Sequence, residues 1–267
     1  MTDVPRPTSG ARVAVVTGGN HGIGAATAVA LAAAGIDVLV AYLRVASDHE
    51  RPAAYARARS RSADAVLEEI APLPGRAVAL EADLLDDGAP GQIFDAAERA
   101  FGPVSILVNN ASGWSADTFD PTAAVLPLVT SGSAARNLGV DARAAALLIA
   151  ELARRHVARG ATWGRVVGLT SGGPGGFPRE VSYGAAKAAH ENYVMSAAAE
   201  LAPFGITANV VHPPVTDTGW VTDEVRAAVA ASSELHHVAA PAEVADVVAW
   251  LCSDAARLVT GSLIRMR

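Results

Sequence analysis

Apolar positions fall along the chain in short runs separated by longer stretches of mixed character. "RVAVVTGG" (12–19), "DVLVAY" (37–42), "AVALEAD" (77–83), "VSILVNNA" (104–111), "GRVVGLTS" (164–171) and "ITANVVHP" (206–213) are rich in Val, Ile and Leu. Several lack polar alternation, which predicts strands of a parallel sheet covered on both faces. Between them, "GIGAATAVALAAAG", "APGQIFDAAERAFG", "ARAAALLIAELARRHVARG" and "AAKAAHENYVMSAAAELAPFG" read as helices. Each is long enough to cross between parallel neighbours. The repeated strand–helix order predicts an α/β chain with one doubly wound parallel sheet, in three αβα layers. Residues 12–267 form a single domain on this reading, and residues 1–11 are a frayed lead-in.

Two segments break the rhythm. Residues 44–61, "RVASDHERPAAYARARSR", place an Arg-rich insertion where a short link is expected. It reads either as a solvated surface segment or as a source of positive charge for a bound phosphate. Residues 214–242 leave the sixth strand through "PPVTDTGW". Loops at the carboxyl ends of such strands are where ligands bind, so this segment is a candidate substrate lid.

Composition narrows the function classes. The net charge of −6 argues against a nucleic-acid partner. No run approaches the roughly 20 apolar residues of a bilayer span, and the polar, Pro-containing N-terminus lacks a signal-peptide pattern. A cytoplasmic protein without a membrane partner is expected. Cys252 is the single cysteine, so no internal disulfide can form, and its apolar helical context predicts a packed small hydrophobe. His236–His237 has no partners at metal-ligand spacing, so no metal is expected.

"VAVVTGGNHGIGAATAVALAAAG" joins a strand, a Gly-rich turn and a helix. Gly18, Gly22 and Gly24 permit a tight turn, and the helix N-terminus offers unpaired N–H groups to a pyrophosphate. The spacing G-x-x-x-G-x-G departs from the commoner G-x-G-x-x-G. Further along, Tyr183 lies four residues before Lys187 in "YGAAK", one helical turn apart. Alone, such a pair is an ordinary surface pair. Beside a dinucleotide cleft it becomes a proton donor whose phenolate a neighbouring ammonium favours.

"TGGNHGIG", "NNA" (109–111) and "YGAAK" resemble, in order and separation, the T-G-x-x-x-G-I-G, N-N-A-G and Y-x-x-x-K motifs of the short-chain dehydrogenase/reductase family. The similarity runs from residue 12 to about 264. It implies a Rossmann-type fold with Gly18, Asn20, His21, Gly22, Ile23 and Gly24 around the pyrophosphate. Asp83 would bind the adenine amino group with Leu84 beside it, and Asn109 and Ala111 would flank the adenosine ribose. Pro213, Val215 and Thr218 would meet the nicotinamide and phosphates, and Lys187 the nicotinamide ribose.

The second strand ends in Ala41, Tyr42 and Leu43, then Arg44, with no acid to take the ribose hydroxyls. Arg44, the arginines after it and His21 are the expected positive charges. NADP(H) is therefore the preferred cofactor, with NAD(H) possible.

Ser171 is the expected substrate-carbonyl donor. It lies twelve residues before Tyr183 where the family usually has thirteen, and Thr170 is the alternative. The family's helix asparagine aligns with Asp141, and Asn137 fits less well. A relay role for Asp141 and a plain solvated residue both stay open. "NNAS" replaces N-N-A-G, and the chain lacks the family's usual terminal stretch. Trp114, Phe177 and Trp220 are expected to line the substrate pocket or to form subunit contacts.

The resemblance implies an NADPH-dependent ketone or carbonyl reductase, reversible toward alcohol oxidation, similar to 3-oxoacyl-carrier-protein reductases. An imine or sugar-ketone reductase of a biosynthetic pathway and a weakly active cofactor-binding scaffold are the alternatives. A homotetramer or homodimer is the family expectation.

Overall fold

The structure, a computed structural model, describes residues 12–45, 52–172 and 176–267. The lead-in 1–11 and residues 46–51 of the Arg-rich segment lie outside the described residues. The chain begins at the centre of the sheet with β1 (Val13–Thr17), crosses by α1 (Gly22–Ala33) to β2 (Asp37–Tyr42), and continues through α2 (Ala53–Arg59) and α3 (Asp64–Ile70) to the edge strand β3 (Ala77–Glu81). Helix α4 (Ala89–Phe101) returns it to β4 (Ile106–Asn109) on the other side of β1. A long helical passage follows, made of α5 (Ser131–Asn137), a π-helical turn (Leu138–Ala144) and α6 (Ala145–Ala158). It leads to β5 (Gly164–Leu169), α7 (Val181–Leu201) and β6 (Ile206–His212), and then to α8 (Asp223–Ala230), α9 (Pro241–Leu251) and the three-residue β7 (Leu263–Arg265).

The strand order is β3-β2-β1-β4-β5-β6-β7, with every pair parallel. The winding reverses between β1 and β4, which opens a crevice at their carboxyl ends. Successive strand side chains point to opposite faces, so each central strand feeds two cores. Ala14, Val16, Val38 and Val40 pack with Leu31, Val66, Val244 and Leu251, under α1, α3 and α9. Val13, Val15, Leu39 and Leu107 pack with Ile93, Phe94, Leu152 and Val194, under α4, α6 and α7. Helix α1 is apolar all round, as a helix pressed between sheet and α9 must be. Cys252 is fully buried in the first core, and burial pushes its thiol up to about 12.

An ion pair between buried Asp37 and the exposed Arg76 ties β2 to the residue that leads into β3. Asp37 accepts from the backbone N–H of Arg76 at 2.8 Å and from its guanidinium at 2.6 and 3.1 Å. Those hydrogen bonds from Arg76 hold the carboxyl below its ordinary range despite burial. A depressed folded-state pKa adds stability that is full above the unfolded value of about 3.9 and vanishes as pH falls through the folded value. Asp37→Ala is expected to lower the urea midpoint at neutral pH and to lose part of the acid dependence of unfolding. An unchanged midpoint from pH 7 to pH 3 would contradict this.

Helix α7 begins at Val181, earlier than the apolar pattern from residue 185 indicates. Its N-cap residue, Glu180, makes no side-chain cap. The cap comes from elsewhere: buried Asp117 accepts from Ser182 N–H at 2.9 Å through its carboxylate and from Val181 N–H at 3.3 Å through its carbonyl. This tertiary cap draws Tyr183 into the first turn of the helix.

Candidate active site

The crevice between β1 and β4 holds a cleft of about 440 Å³, floored by the Gly-rich turn. Gly18 has φ +64°, and a Cβ there would stand 2.9 Å from Ala111 Cα. A Cβ on Gly24 would stand 2.2 Å from the Gly18 carbonyl oxygen, so α1 approaches the turn as closely as only glycine allows. His21 takes the N-cap position in an extended conformation without a side-chain cap. The first-turn N–H groups are thus left to whatever fills the cleft, the local chemistry a pyrophosphate needs. Gly18, Asn20, His21, Gly22 and Ile23 all line it. Asn20 and His21 have further duties: Asn20 Nδ2 donates to Arg61 O at 2.9 Å, and His21 Nδ1 lies 3.1 Å from Asn20 Oδ1. Burial and, secondarily, Arg59 lower His21 to about 4. Its imidazole is neutral at pH 7, so the positive charge expected of His21 is absent.

The adenosine end bears on three further expectations. Arg44 lines the cleft, but its guanidinium pairs with Glu81 at 2.7 to 3.1 Å. Glu81 is the register partner of Tyr42 across β2–β3, so an acid does reach the end of β2, from the neighbouring strand. The described part of the Arg-rich segment is not simply solvated. Helix α2 lies against the cleft, Arg59 is 8% exposed, and Arg59 and Tyr55 both line the cavity. Backbone bonds from Val45 N to Arg59 O at 3.1 Å fix the end of α2 to the end of β2.

Asn109 is the third, and a correction. It is buried away from the cleft, with Nδ2 donating to Ala145 O at 3.2 Å, because the last residue of β4 faces α6. Asn110 lines the cleft instead and donates from Nδ2 to Thr17 O at 2.9 Å and Gly18 O at 3.1 Å. Ala111, Asp83 and Leu84 line the cleft as expected, although Asp83 Oδ1 also accepts from Leu85 N–H at 2.9 Å.

Ser171, Tyr183 and Lys187 converge at the carboxyl end of β5. The Ser171 side chain lies close enough to Tyr183 to favour its ionised form. Thr170 has a different partner on α7 and donates its hydroxyl to Glu191, one turn beyond Lys187, at 2.7 Å. Lys187 is 3% exposed; its Nζ donates to Leu169 O at 2.9 Å and lies 5.6 Å from the Tyr183 ring centroid. Asp141 is fully buried and is no solvated helix residue. Its Oδ1 lies 2.9 Å from Lys187 Nζ, and its Oδ2 accepts from Gly113 N–H at 2.8 Å. Asn137 is outside this cluster and braces Ser115 instead, with contacts of 2.9 to 3.2 Å.

Burial raises Tyr183 above its ordinary value; Lys187 pulls it down and Asp141 pushes it back up. Burial works against the Lys187 ammonium, yet Asp141 outweighs it and keeps the group charged.

The expected pocket aromatics separate. Phe177 stacks at 5.7 Å on Tyr183 and lines a second cavity with Ser171. Trp114 hydrogen-bonds Glu180, whose carboxyl is raised by burial despite that bond. Ser112, in the place of the family's glycine, accepts from Trp114 N–H at 3.1 Å and closes a small turn. Trp220 is 38% exposed and does not line the cavity with Phe177 and Ser171. Beyond β6 and Pro213, Val215 O accepts from Ala239 N–H at 2.9 Å, which leaves Thr218 against Gly22 and Gly219 against Tyr55. His237 pairs with Glu243 at 2.8 Å.

Sequence reasoning missed Asn110 and Asp117, and named Arg59 only as one of the arginines after Arg44. Asn110 carried a signal as the second Asn of "NNA"; Asp117 acts across a tertiary contact and carried none.

Known proteins are similar to this chain along most of its length. The family model described as enoyl-(acyl carrier protein) reductase matches residues 18–266. An NADPH-dependent aldehyde reductase-like chloroplastic protein of Arabidopsis thaliana is 34% identical, covering 99% of this chain and 95% of its own. Cis-4-hydroxycyclohexanecarboxylate dehydrogenase of Sinomonas cyclohexanicum is also 34% identical, over 95% of this chain and 94% of its own. The crystal structure of the angucycline C-6 ketoreductase LanV with bound NADP superposes with a TM-score of 0.78 at 30% identity, covering 95% of this chain and 93% of that one. With its reversed-winding parallel sheet, its glycine turn and its Ser171, Tyr183 and Lys187, the chain belongs to the short-chain dehydrogenase/reductase family of oxidoreductases.

Proposed function

We propose that the protein is an NADPH-dependent reductase of ketones or related small carbonyl compounds. The observation that carries this reading is the convergence of Ser171, Tyr183 and Lys187 beside the glycine-floored cleft. When bound, NADPH supplies a hydride, with its two electrons, to the carbonyl carbon and leaves as NADP⁺. Ser171 holds the carbonyl oxygen by a hydrogen bond, and Tyr183 gives that oxygen its proton. The phenolate left behind is reprotonated from solvent. Lys187, fixed by the Leu169 carbonyl oxygen and Asp141, holds the ribose beside the nicotinamide. Gly18 to Gly24 cradle the pyrophosphate, and residues 214–242 cover the substrate.

The preference for NADP(H) rests on Arg59 and Arg44 at the adenosine end and on the NADPH-dependent and NADP-bound relatives. Arg44 must exchange or share its bond with Glu81 to reach a 2′-phosphate. Initial rates with a carbonyl panel that includes imines and sugar-like ketones should give kcat/KM about tenfold or more higher with NADPH than with NADH. A preference for NADH would defeat the arginine argument. Ser171→Ala is expected to cut kcat about 10²–10³-fold, as loss of one oxygen-stabilising donor does, with NADPH affinity retained. Unchanged turnover would remove Ser171 from the mechanism.

No helix among the described residues is long and apolar enough to cross a membrane. Leu147 and Tyr193 stand exposed on α6 and α7, which supports pairing of these helices in a homodimer or homotetramer. Light scattering tests this assembly.

A further inference from the structure

The buried acid at residue 141 changes what Lys187 can do. A lone ammonium beside a phenol favours phenolate. Here the ammonium and a carboxylate lie 2.9 Å apart, and neither is open to water. Together they carry no net charge, so Tyr183 faces a dipole whose field falls off faster than that of a single charge. The arrangement is built, not incidental. The π-helical turn spans Asp141 and sets its side chain fully inside. Gly113 N–H holds the second carboxylate oxygen at 2.8 Å, and His190 Nδ1 lies 2.7 Å from the Asp141 carbonyl oxygen. A carbonyl only accepts, so His190 carries its proton on Nδ1. Burial, then the Lys187 charge, lower His190 to about 4, so it brings no compensating cation.

We propose that Asp141 is the counter-ion of Lys187, cancelling its charge at Tyr183 so that the tyrosine keeps its proton through neutral pH. The donor is then loaded for reduction, and alcohol oxidation, which needs the phenolate, is confined to alkaline solution; this consequence rests on the reductase reading. The other charged neighbours do not reverse it. Glu180, just before α7, and Glu191, one turn beyond Lys187, are both acids, and Glu180 also disfavours phenolate. Arg136 of α5 is turned to the Gly113 carbonyl oxygen at 3.2 Å, and His212 of β6 to that of Gly172 at 2.7 Å.

The test is an ultraviolet difference titration of Tyr183 in the cofactor-free protein, with Tyr183→Phe as the blank. Wild-type Tyr183 should titrate above the ordinary value of about 10. Asp141→Asn should bring it down by about one unit or more. The double variant Asp141→Asn/Lys187→Met, which replaces a neutral ion pair by two neutral groups, should return close to wild type. In NADP⁺-dependent alcohol oxidation, the acid limb of kcat/KM should move down with Asp141→Asn. A merely structural Asp141 would lower the unfolding midpoint and leave the titration in place.

Titration of wild-type Tyr183 below about 10 overturns the proposal, whether or not the Asp141 variants fold. An unmoved titration in folded Asp141→Asn also overturns it. Because the titration needs no turnover, the shift in a protein that reduces no carbonyl would support the counter-ion and sink the reductase reading alone.

Discussion

Tyr183→Phe is expected to lower kcat about 10²–10⁴-fold, the contribution of a positioned proton donor, while NADPH binds as before. The substitution removes one oxygen and little else. The ring stays packed on Phe177, and Lys187 stays anchored by Leu169 O and Asp141. Ser171 keeps its place just beyond β5. What vanishes is the acid beside Ser171. The neighbouring Thr170 hydroxyl is committed to Glu191. Turnover with the best substrate of the panel and NADPH fluorescence titration measure the two halves of this expectation. Turnover kept within about tenfold of wild type would mean that another group delivers the proton.

Gly24→Ala acts at the other end of the reaction. Its Cβ would stand 2.2 Å from the Gly18 carbonyl oxygen and 2.5 Å from Asn110 Nδ2. The first of these is backbone and cannot swing aside. Asn110 in turn holds Thr17 O and Gly18 O, so relief of the clash moves the turn, α1 or both. Overpacking of this kind costs about 1–3 kcal/mol, and here it falls on the groups that frame the cleft. NADPH affinity is expected to drop about 100-fold, equivalent to about 2.7 kcal/mol. Fluorescence titration reads the loss, and circular dichroism separates it from unfolding. Wild-type affinity in a folded variant would mean that the cofactor does not use this turn.

Several parts of this architecture were legible from local pattern. Six apolar runs mark the strands because a doubly covered parallel strand must be apolar on both faces, and the observed β1 to β6 fall inside them. The edge strand β3 shows the rule relaxing, since each of its residues is partly exposed or more. The glycine turn was legible because close backbone approach excludes every other residue. Tyr183 and Lys187 were legible because helical spacing alone puts them on one side.

Errors came where the answer depended on which way a side chain turns. Asn109 and Asn110 are neighbours, yet one faces α6 and the other the cleft. A shift of one residue along a strand reverses its facing, and a motif read with a gap leaves that shift open.

The order of strands and helices, the glycine floor of the cleft and the Tyr183–Lys187 pair were determined by sequence alone, because each rests on periodicity or on spacing within a few residues. The partners of the charges were decided only by the tertiary structure. Glu81 reaches Arg44 through strand register, Asp117 caps α7 across the chain, and Asp141 meets Lys187 where the π-helical turn packs on α7. Charge interactions depend on distance and burial, which separation along the chain does not encode.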